Sequence, residues 1–289
     1  MRRLSSWIAI GIAGAVVAAC SPAGPTPQPS PPPGTPFLMR ATIVQALPPG
    51  STFGWLPGVL ISVDGRVLTG GAVEAIYPGP LLQPIIEQRL PASGWALIVA
   101  AARDLGLLAG TTDFSGGAIP PGGMSGRLEL FVDGRMVTLT GDPSRVPRCG
   151  AQRCVATPGT PETFAVFWNQ VIALPSWPEL GLGPESRYVP DGYAVVVGPA
   201  PVVDAQLVRQ PVTWPGSTPL AAFGKPLVDG SGGRCGTVSG TDAVAAGAAF
   251  QAATAITPWH DAGATTLYGL SVRALLPGDG DPCEGLVGA

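Results

Sequence analysis

A chain of 289 residues, 46% hydrophobic and 12% charged, is long enough for one large or two small domains and apolar enough to bury a core. Its 16 basic and 19 acidic residues give a net charge of −3, so no basic footprint marks it as a nucleic-acid binder. A single histidine excludes His-rich metal centres, and 41 glycines with 34 prolines predict a turn-rich fold rather than a helical bundle.

The chain opens Met1-Arg2-Arg3, and an uncharged apolar stretch then runs from Leu4 to Ala19. That stretch is shorter than the ~20 residues a membrane span needs and suits the core of a signal peptide, residues 1–19. It ends Val17-Ala18-Ala19-Cys20, which resembles the lipobox of bacterial lipoproteins. The resemblance implies cleavage before Cys20, acylation of that cysteine (palmitate among the acyl chains) and an extracytoplasmic, membrane-anchored protein. Ala18-Ala19 also suits a general signal peptidase, which would release the protein instead. Residues 20–37 form the lipidated cysteine and a tether, with SPAGPTPQPSPPPGTP at 21–36. A segment without charge or apolar bulk builds no core. Proline biases it toward polyproline II, a reach of roughly 50 Å at ~3.1 Å per residue.

Two α+β lobes follow, 38–183 and 184–289, each expected to be an antiparallel sheet faced by one or two helices. In the first, GVLISV (58–63), Asp64-Gly65 and RVLT (66–69) read as a hairpin. GRLELFV (126–132), Asp133-Gly134 and RMVTLT (135–140) repeat the device. Asp-Gly supplies the positive φ of a type I′ turn, so both hairpins are expected to close that way. The shared VDGR invites a duplication reading on four residues alone. Between them Trp95, Ile98, Val99, Ala102 and Leu105 keep a helical rhythm over 93–107, with Gly106 or Gly110 to end it. A second helix is expected from Pro161 to Leu174, with Phe164, Phe167, Trp168, Val171 and Ile172 as its apolar face.

In the second lobe, 193–197 and 235–239 read as strands and TLYGLSVRALLP (266–277) as a longer one. Ser239-Gly-Thr-Asp242 has the spacing of a capping box before an Ala-rich helix that runs to about Ile256. Besides Cys20 the chain holds Cys149, Cys154, Cys235 and Cys283, an even number that reads as two disulfides in an exported protein. Three pairings are possible, and the nearest, Cys149–Cys154 with Cys235–Cys283, is favoured. Half a zinc site at the C-x4-C spacing is the other reading of the first pair.

AIYPGPLLQ (75–83), RCGTVSGTDA (234–243), TPW (257–259) and RALLP (273–277) together resemble a family of uncharacterised exported proteins from high-GC bacteria. The resemblance covers most of the mature chain and implies the two-lobe layout, with no activity attached. The first lobe's order of hairpin, helix, hairpin, helix also resembles small metalloprotease inhibitors of the emfourin type, which would make the module an inhibitor.

Motifs for known chemistry are missing. HExxH, a G-x-S-x-G elbow and a P-loop are absent. DGSGGRCG (229–236) has a serine-protease flavour, but its order is wrong and the only histidine, His260, lies downstream. Asp279-Gly-Asp281 hints at calcium, yet Glu284 falls too early for an EF-hand, so a solvated turn is expected. Trp177 and Trp214 precede proline and Trp259 follows one. Such rings either stack on sugars or pack over loops. Trp259 and His260, in a loop beyond the last helix, are the candidate ligand-binding pair; no catalytic residue, metal or cofactor is assigned. The sequence therefore predicts a non-catalytic binding or interaction module, its partners the membrane through the lipid and an envelope protein or glycan. An envelope hydrolase acting on glycan or peptide through dispersed carboxylates is the alternative.

Overall fold

The structure, a computed structural model, describes residues 34–45, 53–115, 123–145, 157–207 and 209–287. Residues 1–33, with the expected signal peptide and Cys20, lie outside the described residues, as do Cys149 and Cys154. The fold is α+β, and among the described residues it has two sheets of eight and six strands and three α-helices.

The first sheet contains β1 (Met39–Gln45), β2 (Val59–Ile61), β3 (Arg66–Gly70), β4 (Ile85–Arg89), β5 (Asp113–Phe114), β6 (Met124–Val132), β7 (Arg135–Gly141) and β8 (Ser186–Arg187). Their spatial order is β5-β7-β6-β1-β2-β3-β4-β8, antiparallel except for the short β5–β7 edge. Helices α1 (Ala92–Asp104) and α2 (Pro161–Ile172) cover one face. There Val59, Ile61, Leu128, Leu130 and Leu139 meet Trp95, Ile98, Phe164 and Trp168. The helices come so close that two strand positions admit no side chain. A Cβ on Gly126 would lie 2.7 Å from Trp168, and one on Gly141 would lie 2.4 Å from Phe164. Leu105 to Leu107 end α1 as a Schellman turn around Gly106 at φ +71°, the Leu107 and Gly106 amides donating to the Ala102 and Arg103 carbonyls.

The two VDGR hairpins close differently. At Asp133-Gly134 both residues have positive φ (51° and 79°) and Val132 pairs Arg135, as a two-residue type I′ turn requires. At Asp64-Gly65 only the glycine is left-handed, and the pairing resumes at Ile61 and Val67. The expected type I′ turn is replaced by a longer loop, because Ser62 competes for the backbone: its hydroxyl accepts from the Arg66 amide at 3.0 Å. Asp64 bonds Ser62 and, at 3.0 Å, Arg66 Nε. Burial raises the Asp64 pKa, but the bonds from Ser62 and Arg66 outweigh it and leave a net lowering.

The second sheet contains β9 (Gly192–Pro199), β10 (Val212–Thr213), β11 (Lys225–Pro226), β12 (Arg234–Ser239), β13 (Trp259–His260) and β14 (Tyr268–Ala274), in the order β10-β13-β14-β9-β12-β11. Helix α3 (Gly240–Ala252) covers the face bearing Tyr193, Val195 and Val197. Ser239 occupies its N-cap position without a side-chain cap bond. The expected capping box is not formed, because Asp242 instead accepts the Ser217 amide and hydroxyl at 2.9 and 2.6 Å. The helix also ends four residues before Ile256. The Ala253 carbonyl accepts the Leu81 amide and Thr254 bridges Pro80, so the chain leaves α3 to pair with the first lobe. A second core runs from Leu60, Leu68 and Ile85 on the far face of the first sheet, through Leu81, Tyr188 and Leu276, to Phe250 on the buried side of α3. The Tyr188 hydroxyl donates to the Leu275 carbonyl at 2.9 Å, and burial pushes its pKa up to about 12.

Candidate functional site

The far face of the first sheet is apolar only in part. Beyond the docked region it carries Arg40, Thr42 and Val44 of β1 and Arg127 and Glu129 of β6, which share a face because side chains alternate along a strand. Register fixes their neighbours: Arg40 stands opposite Glu129 and Thr42 opposite Arg127. Strand β2 pairs with β1 only as far as Ala41 opposite Val59. The segment from Phe53 to Pro57 therefore leaves the sheet and stands beside it. Between this wall and the end of β14 lies a cleft of about 610 Å³.

On the sheet wall Arg40 Nε donates to Glu129 Oε2 at 2.7 Å and Arg127 Nη2 donates to Oε1 at 3.0 Å. The Glu129 side chain is only 9% exposed, against 33% for Arg40 and 47% for Arg127. The carboxylate thus lies beneath two guanidinium groups that face the opening. A buried carboxylate costs several kcal/mol unless paired and hydrogen-bonded, and both oxygens are served here. Arg40 also stacks over Phe37, 4.5 Å from the ring centroid.

The opposite wall is Arg273 with the segment from Leu276 to Leu286. Arg273 Nη1 donates to Asp279 Oδ2 at 2.7 Å, and the same oxygen accepts the Leu276 amide at 2.9 Å. Asp281 accepts the Cys283 amide at 2.9 Å. A disulfide from Cys283 to Cys235 on β12 closes 48 residues of sequence. The Val228 amide donates to the Leu286 carbonyl at 2.9 Å. A segment of turns, with no sheet of its own, becomes a fixed wall through these ties. Gly278, at φ +78°, abuts the Pro36 carbonyl so closely that a Cβ there would lie 2.5 Å from it. The described chain therefore enters the first lobe beside the cleft.

Trp259 is fully buried, packed against Phe250 and Trp214 at centroid distances of 5.7 and 6.4 Å. This corrects the expectation that it is a ligand-binding ring: it is a core residue. The His260 Nδ1–H donates to the Asp261 carbonyl at 2.9 Å, and Nε2 shares a hydrogen bond of 3.3 Å with the Thr213 hydroxyl. The Asp261 carboxylate points elsewhere and accepts the Leu220 amide at 2.8 Å. No Ser-His-Asp arrangement forms around His260 among the described residues. In the DGSGG loop, Asp229 accepts the Ser231 amide at 2.9 Å and the Ser231 hydroxyl accepts the Gly233 amide at 3.1 Å. The loop spends its polar groups on itself, and the Ser231 bonds lower the pKa of Asp229. Among the described residues no group of three His, Cys, Asp or Glu side chains could hold a metal ion, and no helix is long and apolar enough to cross a membrane.

Sequence reasoning missed the cleft. Its charged residues come from positions 40, 127–129 and 273–284, and no local motif joins them. The signal available was alternation: Arg40 and Thr42 interrupt Met39, Ala41 and Ile43, and Arg127 and Glu129 interrupt Leu128 and Leu130. The exposed tryptophan of the cleft, Trp55 at 43%, was not among the three singled out. Comparison with protein-family models, with curated proteins and with solved structures finds no match.

Proposed function

We propose that the chain is an extracytoplasmic lipoprotein of the high-GC exported family, anchored through acylated Cys20, and that its folded part is a non-catalytic binding module whose ligand site is the cleft between the two sheets. The single observation that carries the binding reading is the state of the recessed carboxylates. Glu129 and Asp279 each accept charge-assisted bonds from arginine, while the guanidinium edges and Trp55 face the opening. A general acid or base must exchange a proton with its substrate. A carboxylate held by two guanidiniums serves instead to fix them in place. The volume lies within the range of small-molecule pockets, and the mix of apolar lining with a few convergent polar groups suits binding.

One observation favours the alternative, an envelope hydrolase: Glu129, Asp279 and Glu284 line the same cleft. Membrane fractionation and incubation with envelope glycan fragments and peptides test both parts. The binding reading expects wild type with the membranes, Cys20→Ala in the soluble fraction and every substrate recovered intact. Wild type that is fully soluble after cleavage removes the anchor. Turnover abolished by Glu129→Gln or Asp279→Asn establishes the hydrolase.

A further inference from the structure

Resting on the reading of the cleft as a binding site, we propose that it takes a small organic monocarboxylate with an apolar body, the carboxylate on Arg127 and Arg40 and the body against Trp55 and Val44. Two guanidiniums around one carboxylate leave the sheet wall with a net charge of +1, whereas the Arg273–Asp279 pair opposite is neutral. The compensating anion, Glu129, is the most buried of the three, so an entering ligand meets the arginines first. A guanidinium carries five N–H donors, and one on each arginine is used by Glu129. The remaining donors can take a second carboxylate in the forked geometry that arginine favours. Glu129 preorganises that fork, because Arg40 and Arg127 are held at fixed positions by opposite oxygens of one group.

The rest of the lining sets what is attached to the carboxylate. Trp55 is 43% and Val44 46% exposed, both lining the cleft, and Val44 lies two residues beyond Thr42, the residue opposite Arg127. An apolar or aromatic body gains by covering these surfaces. Glu284, exposed on the opposite wall, repels a second negative charge. The site should therefore prefer a monoanion to a dianion such as a phosphomonoester.

Isothermal titration of the purified full chain tests this with three probes: N-acetylphenylalanine, its uncharged amide and phenyl phosphate. The acid is expected to bind at least tenfold more tightly than the amide and more tightly than the phosphate, and to weaken as salt is added. Arg127→Gln is expected to abolish the preference for acid over amide at an unchanged melting temperature, since Arg127 is half exposed and Glu129 keeps Arg40. Equal binding of acid and amide overturns the carboxylate inference while leaving a binding cleft. No binding of the acid, tighter binding of the phosphate, or an acid preference that survives Arg127→Gln also overturns it. The comparison of acid with amide on wild type needs no variant, so it holds even where the substitution perturbs folding.

Discussion

The eight-stranded sheet has two faces built by the same strands, and they are spent differently. Toward α1 and α2 the positions of β1, β2 and β6 are apolar or glycine except for Gln45 at the end of β1, and rings press onto Gly126 and Gly141. On the other face the cross-strand row of apolar residues Leu68 and Leu60 gives way to Arg40 and Glu129. Only part of that face is closed by the second lobe. Alternation alone decides which residues see which face, so β1 contributes to the core through Met39, Ala41 and Ile43 and to the cleft through Arg40, Thr42 and Val44. A face that must exclude water carries no charge. A face that carries a buried charge also carries its partners.

The largest expected effect is on the helix face. Phe164 is fully buried against Phe114, Trp168 and the Gly141 backbone. Phe164→Ala should lower stability by about 3–5 kcal/mol in urea denaturation. A loss as small as that of a surface change would mean the two faces are not so unequal. Next is the staple of the cleft wall. Replacing Cys235 and Cys283 by alanine should cost about 2–4 kcal/mol and expose residues 276–287 to proteolysis, because that segment is built of turns and the disulfide is its covalent tie to β12. Unchanged protease resistance would show the wall to be held otherwise.

Tyr188 marks where the far face is closed by the second lobe. Tyr188→Phe should cost about 1 kcal/mol for the bond to Leu275. Its pKa, raised to about 12 by burial, gives a pH test. The folded state holds the phenolic proton more tightly than the unfolded chain, so this contribution is complete below about pH 10 and is lost as the pH rises through about 12. Equilibrium unfolding across that window should show wild type losing more stability than Tyr188→Phe, and parallel curves would place the hydroxyl in water. The smallest effect is expected in the open part of the cleft. Arg127→Gln should change stability by no more than about 0.5 kcal/mol, since Arg127 itself is half exposed and the recessed Glu129 keeps its bond from Arg40. A larger loss would make the arginine a structural residue.

Much of this fold was legible. The hairpins, the three helices and the central strands of the second sheet follow from periodicity and turn residues, and the pairing of Cys235 with Cys283 from an even cysteine count and proximity. Strand β1 escaped because Arg40 and Thr42 dilute its apolar content, although its alternation is regular. Identical VDGR segments adopt different turns because Ser62, two residues before Asp64, supplies a hydroxyl, whereas Phe131 precedes Asp133 by the same spacing. The end of α3 and the failure of its cap depend on residues of other segments, Leu81 and Ser217. The cleft was illegible for the same reason on a larger scale: its walls come from strands that only the folded topology brings together.

The account turns on the cleft being where ligand binds. Two-dimensional NMR of the full chain during titration with N-acetylphenylalanine tests this directly. Signals from the Trp55 indole and the Arg40 and Arg127 guanidinium groups should move with the ligand, while those of Trp168 on the helix face and Trp259 in the second core stay fixed. Movement centred on Trp168 or on Trp259 and His260, with the cleft signals unchanged, would contradict it.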